Sequence, residues 1–175
     1  MNKLLKRKEI YNGRVVKVVI DDVLLENNKE AKREVVIHNG GACIALKDVD
    51  GKFFMVKQFR YPLNTEMLEF CAGKIEKGEN PDETIIREVQ EELGYTAKNI
   101  KKFGYIVPTC GYSSEKIYLY YGEVDKQVNQ HFDEDEFLLI YKYSCEEIED
   151  MIKNNIITDS KTISLMYYLK LNKLA

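Results

Sequence analysis

A cluster of acidic side chains in one predicted helix is the part of this 175-residue chain best suited to chemistry. The helix is predicted to begin at Asn80, a good N-cap followed by Pro81, and to end at Gly94. Three glutamates spaced three and four residues apart fall on one face of it, which we predict to lie opposite to the helix's buried apolar stripe: Glu88, Glu91 and Glu92. Clustered carboxylates repel one another, and a divalent cation is the simplest reason to gather them. The spacing therefore indicates metal-assisted chemistry.

The ligand types indicate which metal and which substrate. Oxygen ligands without thiols select a hard cation such as Mg²⁺, for which Mn²⁺ can substitute. Mg²⁺ usually keeps several waters and adds phosphate oxygens, so a phosphate ester or anhydride is the expected substrate. The alternative is a solvated amphipathic helix with ordinary surface glutamates. Two details count against this alternative. Arg87 is the one nearby arginine that could neutralise the three glutamates. Gly73 and Gly78 precede the helix in a loop that can approach a ligand closely.

The elements that must position this helix alternate between strands and helices. The acidic helix itself is predicted to bury a stripe of Ile85, Ile86, Val89 and Leu93. Residues 10–38 are rich in β-branched residues and turn signals, which predicts strands without a helix. Further strands are predicted at 42–46, 53–59, 104–107, 117–124 and 137–143. Two late helices follow, one capped by Ser144 and Glu147 and one over 159–174 with an apolar stripe of Ile163, Met166, Tyr167 and Leu171.

Composition excludes several classes of protein. The formal net charge of -3 argues against a protein that coats nucleic acid. The four cysteines are scattered without a C-x-x-C pair, so a zinc ribbon and a disulfide framework are not expected, and a reducing compartment is. No run approaches the roughly 20 apolar residues that span a bilayer, and the basic N-terminus lacks the apolar run of a signal peptide. We therefore expect a soluble, cytoplasmic protein with no nucleic-acid or membrane partner.

The segment from Gly73 to Tyr95 resembles the signature of the Nudix hydrolases, G-x5-E-x7-R-E-U-x-E-E-x-G-U, where U is bulky and aliphatic. Every fixed position is present: Gly73, Glu79, Arg87, Glu88, Glu91, Glu92 and Gly94. Only Tyr95 departs, as an aromatic residue at the last U. Two stretches outside this box, Gln58-Phe-Arg-Tyr-Pro62 and Glu69-Phe-Cys-Ala-Gly73, are similar to the ADP-ribose pyrophosphatase branch of the family.

The resemblance implies a fold and an assembly. The family fold is an α/β one, a mixed β-sheet sandwiched between helices, and members of this branch form homodimers through an N-terminal antiparallel sheet. We accordingly predict an N-terminal dimerisation subdomain over 1–38 and a hydrolase domain over 39–175. Cys71 and Cys110 stand where the branch usually has proline, which leaves the choice among nucleotide sugars open.

The resemblance also implies roles for individual residues. The metal ligands would be Glu88 and Glu92, assisted by Glu91, the backbone carbonyl of Ala72 and Glu136. Arg87 would orient the glutamates, and Glu79 would stand behind them. Substrate contacts would come from Arg60, which grips the diphosphate, and from Glu69, Gly73 and Glu115. The general base would be Glu134, with Glu136 and Glu115 as the alternatives.

The implied activity is Mg²⁺-dependent hydrolysis of the diphosphate of ADP-ribose or a related nucleoside diphosphate sugar, giving AMP and ribose 5-phosphate. The alternative is hydrolysis of GDP-mannose, another nucleotide sugar or an oxidised nucleotide. A more remote alternative is a Nudix-shaped ligand sensor without catalysis. Such a sensor would be expected to lose box glutamates and to gain a DNA-binding segment, and this sequence does neither.

Overall fold

Strands dominate the residues that the structure, a computed structural model, describes, which are 2–131 and 137–175. The contacts divide the chain into two units. The smaller unit holds the residues up to Gly40 together with Val107–Lys116, and the larger one holds Gly41–Ile106 and Ile117–Ala175. The predicted domains, 1–38 and 39–175, remain a prediction, because clustering of contacts does not show that either part folds alone.

The smaller unit is a three-stranded antiparallel sheet in the order β1-β2-β3. Its strands are β1 (Lys3–Asn12), β2 (Lys17–Leu24) and β3 (Glu30–Ile37). Asn28, at a φ of 63°, makes the left-handed turn between β2 and β3 that the sequence predicted there. Every residue of β1 is exposed, and β1 forms an edge of this sheet.

Within the residues that the structure describes, the larger unit contains a seven-stranded mixed sheet and three α-helices. Its strands are β4 (Gly41–Lys47), β5 (Phe53–Arg60), β6 (Thr65–Glu69), β7 (Cys71–Lys74), β8 (Tyr95–Ile106), β9 (Ile117–Gln127) and β10 (Leu138–Tyr143). The main order is β10-β5-β4-β9-β8, with β6 paired to β5 and β7 to β4. Of the strand pairs described in this sheet, β4 with β9 is parallel and the others are antiparallel.

Successive side chains of the central strands point to opposite faces of this sheet, so each face has a core of its own. Helices cover both cores. The helices are α1 (Pro81–Glu88), α2 (Cys145–Lys153) and α3 (Ser160–Leu171). On one face Ile44 and Phe54 pack in a core with Ile85 and Val89, which belong to α1 and the turn after it. On the other face a second core holds Cys43, Ala45, Phe53 and Met55 with Ile148, Leu165 and Leu169, from α2 and α3. The predicted sandwich of a mixed sheet between helices is confirmed.

Local signals located the helix ends well. Asn80 accepts hydrogen bonds from the backbone N–H groups of Asp82 and Glu83, and Glu83 returns the bond to Asn80, which is the predicted capping box. Gly94 adopts the left-handed conformation at a φ of 72°, where the acidic segment ends. Ser144 and Glu147 form the second predicted capping box.

Several predictions about elements were wrong. The first strand begins at Lys3 rather than near residue 10, β8 begins at Tyr95 rather than at Gly104, and the short strands β6 and β7 were not predicted. Ile86 is 47% exposed and lies outside the buried stripe. In α3 the buried apolar residues are Leu165, Met166 and Leu169, while Ile163, Tyr167 and Leu171 are exposed. This helix is apolar around most of its circumference, so periodicity alone did not fix its buried face.

In the described parts of the chain, the helices are all too short or too polar to cross a membrane. The four cysteines are free, as the sequence predicted.

Candidate active site

Arg87 is the centre of the acidic helix. Its Nε donates to Oε1 of Glu79 at 2.9 Å, and its Nη1 lies 2.8 Å from Oε1 of Glu88 and 2.7 Å from Oε2 of Glu91. Its Nη2 also donates to the backbone carbonyl of Lys74 at 3.3 Å. Hydrogen bonding to Glu79 is the main reason that the pKa of Arg87 lies above its ordinary value. One guanidinium therefore fixes three carboxylates of the helix and its preceding loop.

Glu79 serves this arrangement from the loop before α1. Besides Arg87, it accepts a hydrogen bond from the Thr84 hydroxyl at 2.7 Å and one from the backbone N–H of Glu76 at 3.1 Å. These bonds, with that of Arg87 the largest, lower the pKa of Glu79 to about 2. Glu79 thus stays ionised across the physiological range, and its charge is committed to Arg87. The supporting role that the family resemblance implies for Glu79 stays a prediction.

Glu88 lies against the backbone of Gly73 on β7. An ideal Cβ added to Gly73 would fall 1.6 Å from Oε1 and 1.8 Å from Cδ of Glu88. Any side chain at this position would therefore occupy the place of the carboxylate. Gly73 was predicted as a substrate contact, and the geometry gives it a further task that spacing could not reveal, which is to leave room for Glu88.

Glu92 lies in a π-helical turn, Val89–Leu93, that directly follows α1. Such turns are rare and often occur at functional sites. Glu92 is 3% exposed and Glu88 is 7% exposed, so both carboxylates are buried. We expected all three glutamates on a face opposite to the buried stripe, and for Glu88 and Glu92 that expectation was wrong, since both are as buried as a core residue. Only Glu91, at 39% side-chain exposure, remains near the surface.

Cys71 is the thiol nearest to this acidic pair. It is fully buried on β7, and burial raises the pKa of its thiol well above the ordinary value. The charge of Glu92, a hydrogen bond to Glu92 and then the charge of Glu88 raise that pKa further. Cys71 therefore stays protonated and acts as a small donor beside Glu92, at a place where the family pattern has a proline.

A second group of charges surrounds Glu69. Arg60 donates from Nε and from Nη2 to the two oxygens of Glu69, each at 2.7 Å. The Glu69 side chain is 2% exposed and that of Arg60 is 37% exposed. The hydrogen bonds to Arg60 and the charge of Lys161 outweigh burial and lower the pKa of Glu69. The two predicted substrate residues are thus brought together as a pair, with Arg60 at the open end.

Lys161 and Asp159 belong to this group and were missed by sequence reasoning. The Lys161 ammonium contacts Glu69 and lies 2.9 Å from Oδ1 of Asp159. A signal was present, because Lys161 lies in the first turn of α3, where the helix dipole disfavours a cation. A lysine at such a position requires nearby carboxylates, but the sequence did not show which ones.

The predicted roles of three further residues, Glu115, Glu134 and Glu136, stay predictions. Glu115 belongs to the smaller unit, where Oε1 lies 3.6 Å from Nδ1 of His38. Glu134 and Glu136 lie outside the described residues. The chain just before them is fixed to the acidic helix, since the His131 N–H donates to the carbonyl of Glu91 at 3.3 Å and the Gln130 side chain donates to the carbonyl of Glu92.

The oxygen donors of this site fit a hard divalent cation. Glu88 and Glu92 supply two buried carboxylates, and the carbonyl of Ala72 lies on the strand next to Gly73. Among the described residues, however, no three acidic, histidine or cysteine side chains form a ready-made cage, and Glu91 is turned to Arg87. A cation would therefore find part of its ligand set here, completed by waters, by substrate oxygens or by a further protein ligand.

Comparison with known proteins places this geometry in a family. Residues 37–164 match the NUDIX domain model. The chain is 35% identical to the ADP-ribose pyrophosphatase of Bacillus subtilis (strain 168) over 98% of its length and 94% of that protein. It is 38% identical, with the same coverage, to a protein of Bacillus methanolicus named methanol dehydrogenase activator. It is 31% identical to a GDP-mannose pyrophosphatase of Yersinia enterocolitica over 81% of this chain and 79% of that protein.

A solved structure supports the fold. The crystal structure of an ADP compounds hydrolase superposes with a TM-score of 0.83, covering 99% of this chain and 97% of the other, at 18% sequence identity. At that identity the likeness concerns the fold, which agrees with the mixed sheet and its covering helices.

Proposed function

This chain belongs to the Nudix family of hydrolases, and we propose that it hydrolyses the diphosphate of ADP-ribose or a related nucleoside diphosphate sugar. ADP-ribose and water would give AMP and ribose 5-phosphate. The observation that carries the proposal is the pair of buried carboxylates, Glu88 and Glu92, of which Glu88 lies against the backbone of Gly73. The similarity to a protein named ADP-ribose pyrophosphatase over nearly the whole chain supports this choice of substrate.

The cation in this proposal is Mg²⁺, with Mn²⁺ as a substitute. Glu88, Glu92 and the carbonyl of Ala72 would hold it, with Glu91 and Glu136 as further ligands. When bound, Mg²⁺ supplies charge that offsets the diphosphate and lowers the pKa of the attacking water. Arg87 contacts Oε2 of Glu91, so the other oxygen of that carboxylate would be the one to join the cation.

The side chains of this protein would bind the substrate and move the proton. Arg60 presents a guanidinium held by Glu69 and would bind the diphosphate, for which its fixed, planar donors are suited. A carboxylate would accept the proton of the attacking water. Glu134 is the proposed base, with Glu136 and Glu115 as alternatives. Arg87 would keep Glu88 oriented during the reaction.

The alternative substrate is GDP-mannose or another nucleotide sugar. The similarity to proteins named GDP-mannose pyrophosphatase favours this alternative, although it covers less of the chain. Cys71 and Cys110 are departures from the family pattern. The chemistry at the diphosphate would be the same in both cases.

We also propose that the protein acts as a homodimer joined through its N-terminal sheet. The edge strand β1 is exposed along its whole length and carries the apolar side chains of Leu4, Leu5, Ile10 and Tyr11. An exposed edge of this kind is a template for pairing with another chain.

One experiment tests the proposed activity. The purified protein is incubated with Mg²⁺ and separate samples of ADP-ribose, GDP-mannose, other nucleotide sugars and an oxidised nucleoside triphosphate, and the products are identified by chromatography. We expect AMP and ribose 5-phosphate from ADP-ribose. The Glu92→Gln variant should lose more than about 100-fold in kcat, since even the partners of metal ligands cost 10–100-fold when changed.

The matched control is Glu83→Gln. Glu83 is an exposed glutamate on the same helix, and its replacement can still accept the hydrogen bond of the capping box. This variant should keep its activity. A folded Glu92→Gln variant with full turnover would refute the proposal, and turnover of GDP-mannose alone would transfer it to the alternative substrate.

A further inference from the structure

Four charged side chains form a continuous row that links the candidate diphosphate arginine to helix α3. Their order is Arg60, Glu69, Lys161 and Asp159. The Arg60 side chain is 37% exposed, whereas those of Glu69, Lys161 and Asp159 are 2%, 10% and 13% exposed. The row therefore opens to solvent at Arg60, and its other members are buried behind it. Two acids and two bases make it neutral as a whole.

Lys161 is a buried lysine held between two carboxylates. A buried ammonium loses its hydration, and a cation in the first turn of a helix opposes the helix dipole. A buried ion pair is often no more stabilising than an apolar pair of the same volume. Lys161 nonetheless lies between the carboxylates of Glu69 and Asp159, and Asp159 also caps α3 through Thr162. Burial opposes the charged form of Lys161, but the charges of Asp159 and Glu69 outweigh it and raise the pKa of Lys161, so its ammonium is a fixed charge behind Glu69.

The geometry at Arg60 indicates what that role is. Glu69 accepts hydrogen bonds from Nε and Nη2, which form one edge of the Arg60 guanidinium. The third nitrogen, Nη1, takes no part in this ion pair. The direction of Nη1 is therefore set by the position of Glu69. Lys161 contacts the same Oε2 of Glu69 that accepts from Nη2 of Arg60. Thr162 adds a second fixed point, since its hydroxyl accepts the backbone N–H of Phe70 at 2.9 Å.

We propose that Lys161 is a positioning residue for diphosphate binding, which holds Glu69 from behind and so directs the free edge of Arg60 toward the substrate. This inference rests on the proposed function, because it takes Arg60 as the residue that binds the diphosphate. Lys161 itself touches Glu69 and Asp159 and acts through them. The charge of Glu92 also adds to the raised pKa of Arg60, which agrees with a position near the acidic helix.

The test is a double-mutant cycle on the affinity for α,β-methylene-ADP, a diphosphate that cannot be cleaved, measured by calorimetry with Mg²⁺. Lys161→Met should weaken binding about 10-fold or more, the factor that one charge-assisted hydrogen bond supplies. In an Arg60→Met background the same change should have almost no further effect, because Lys161 acts through Arg60. Lys170→Met, a paired surface lysine on the same helix, should bind as the unaltered protein does.

An unchanged affinity in Lys161→Met, or an equal loss in both backgrounds, would overturn the proposal. Should Lys161→Met fail to fold, Lys161→Gln replaces it in the cycle. That change keeps a polar side chain but removes the positive charge that holds Glu69. The same loss and the same dependence on Arg60 are expected, and an unchanged affinity would again overturn the proposal. Binding of the analogue does not require turnover. A protein that binds it with this coupling but cleaves no nucleotide sugar would refute the proposed function alone.

Discussion

The α-carbon of Gly73 lies where a side chain would collide with the carboxylate of Glu88. The backbone of Gly73 has no left-handed conformation, so this requirement is steric only. Glu88 in turn is held by Arg87, which leaves it little freedom to retreat. At the scale of residues, the site therefore depends on an absent side chain as much as on the carboxylates.

Gly73→Ala should weaken metal binding and activity together, because Glu88 must move from its place to admit the methyl group. We expect at least about a 10-fold loss in Mn²⁺ affinity, the scale seen when a partner of a metal ligand is disturbed. Calorimetric titration with Mn²⁺ and kcat/KM for ADP-ribose measure the two effects. Gly13→Ala is the control, since its Cβ would meet only the exposed ring of Tyr11, which can move away. Full Mn²⁺ affinity in Gly73→Ala would contradict this account.

At the scale of elements, the loop before α1 and the helix itself are joined by Glu79. The loop residue bonds to Arg87 in the last turn of the helix and to Thr84 in its first turns. The folded pKa of about 2 lies below the ordinary 4.5, so this contribution to stability is complete above about pH 4.5 and disappears as the pH falls toward 2.

Glu79→Gln should therefore unfold more easily than the unaltered protein at pH 7, by about 1–3 kcal/mol, with the gap closing between about pH 4.5 and pH 2. Urea unfolding at a series of pH values measures this. Glu66→Gln provides the comparison, because the ion pair of Glu66 with Lys57 is exposed and should contribute little. A gap for Glu79→Gln that stays constant down to pH 2 would show that the charge is not responsible.

Elements were predictable from sequence where their signals are local. The capping box of Asn80 and Glu83 and the stop at Gly94 involve residues close in the chain, and both were found. The burial of Glu88 and Glu92 was not, because amphipathic periodicity places carboxylates in solvent. The contact of Lys161 with Glu69 joins residues 92 positions apart, which no local pattern contains. The strands β6 and β7 are short, at five and four residues, and have no clear alternation of apolar and polar residues.

At the scale of the whole molecule, the smaller unit presents β1 as an exposed edge with apolar side chains. Replacing Leu4 and Ile10 together by lysine should turn a homodimer into a monomer, because charges on an edge strand oppose pairing. Light scattering after size-exclusion chromatography gives the mass directly. Val49→Lys is the control, as an apolar residue that is 90% exposed in the larger unit. A double variant that keeps the dimer mass would place the interface elsewhere.

The bonds from Gln130 and His131 to the carbonyls of Glu92 and Glu91 have a thermodynamic consequence. They join the backbone of the proposed metal ligand Glu92 to the residues just before 132–136, which contain the proposed base. A cation held by Glu92 would therefore act on both segments. Linkage is reciprocal, so the factor by which the cation changes the affinity for the substrate equals the factor by which the substrate changes the affinity for the cation. A measured affinity for the proposed nucleotide-sugar substrate should therefore always be given with the concentration of Mg²⁺ at which it was determined.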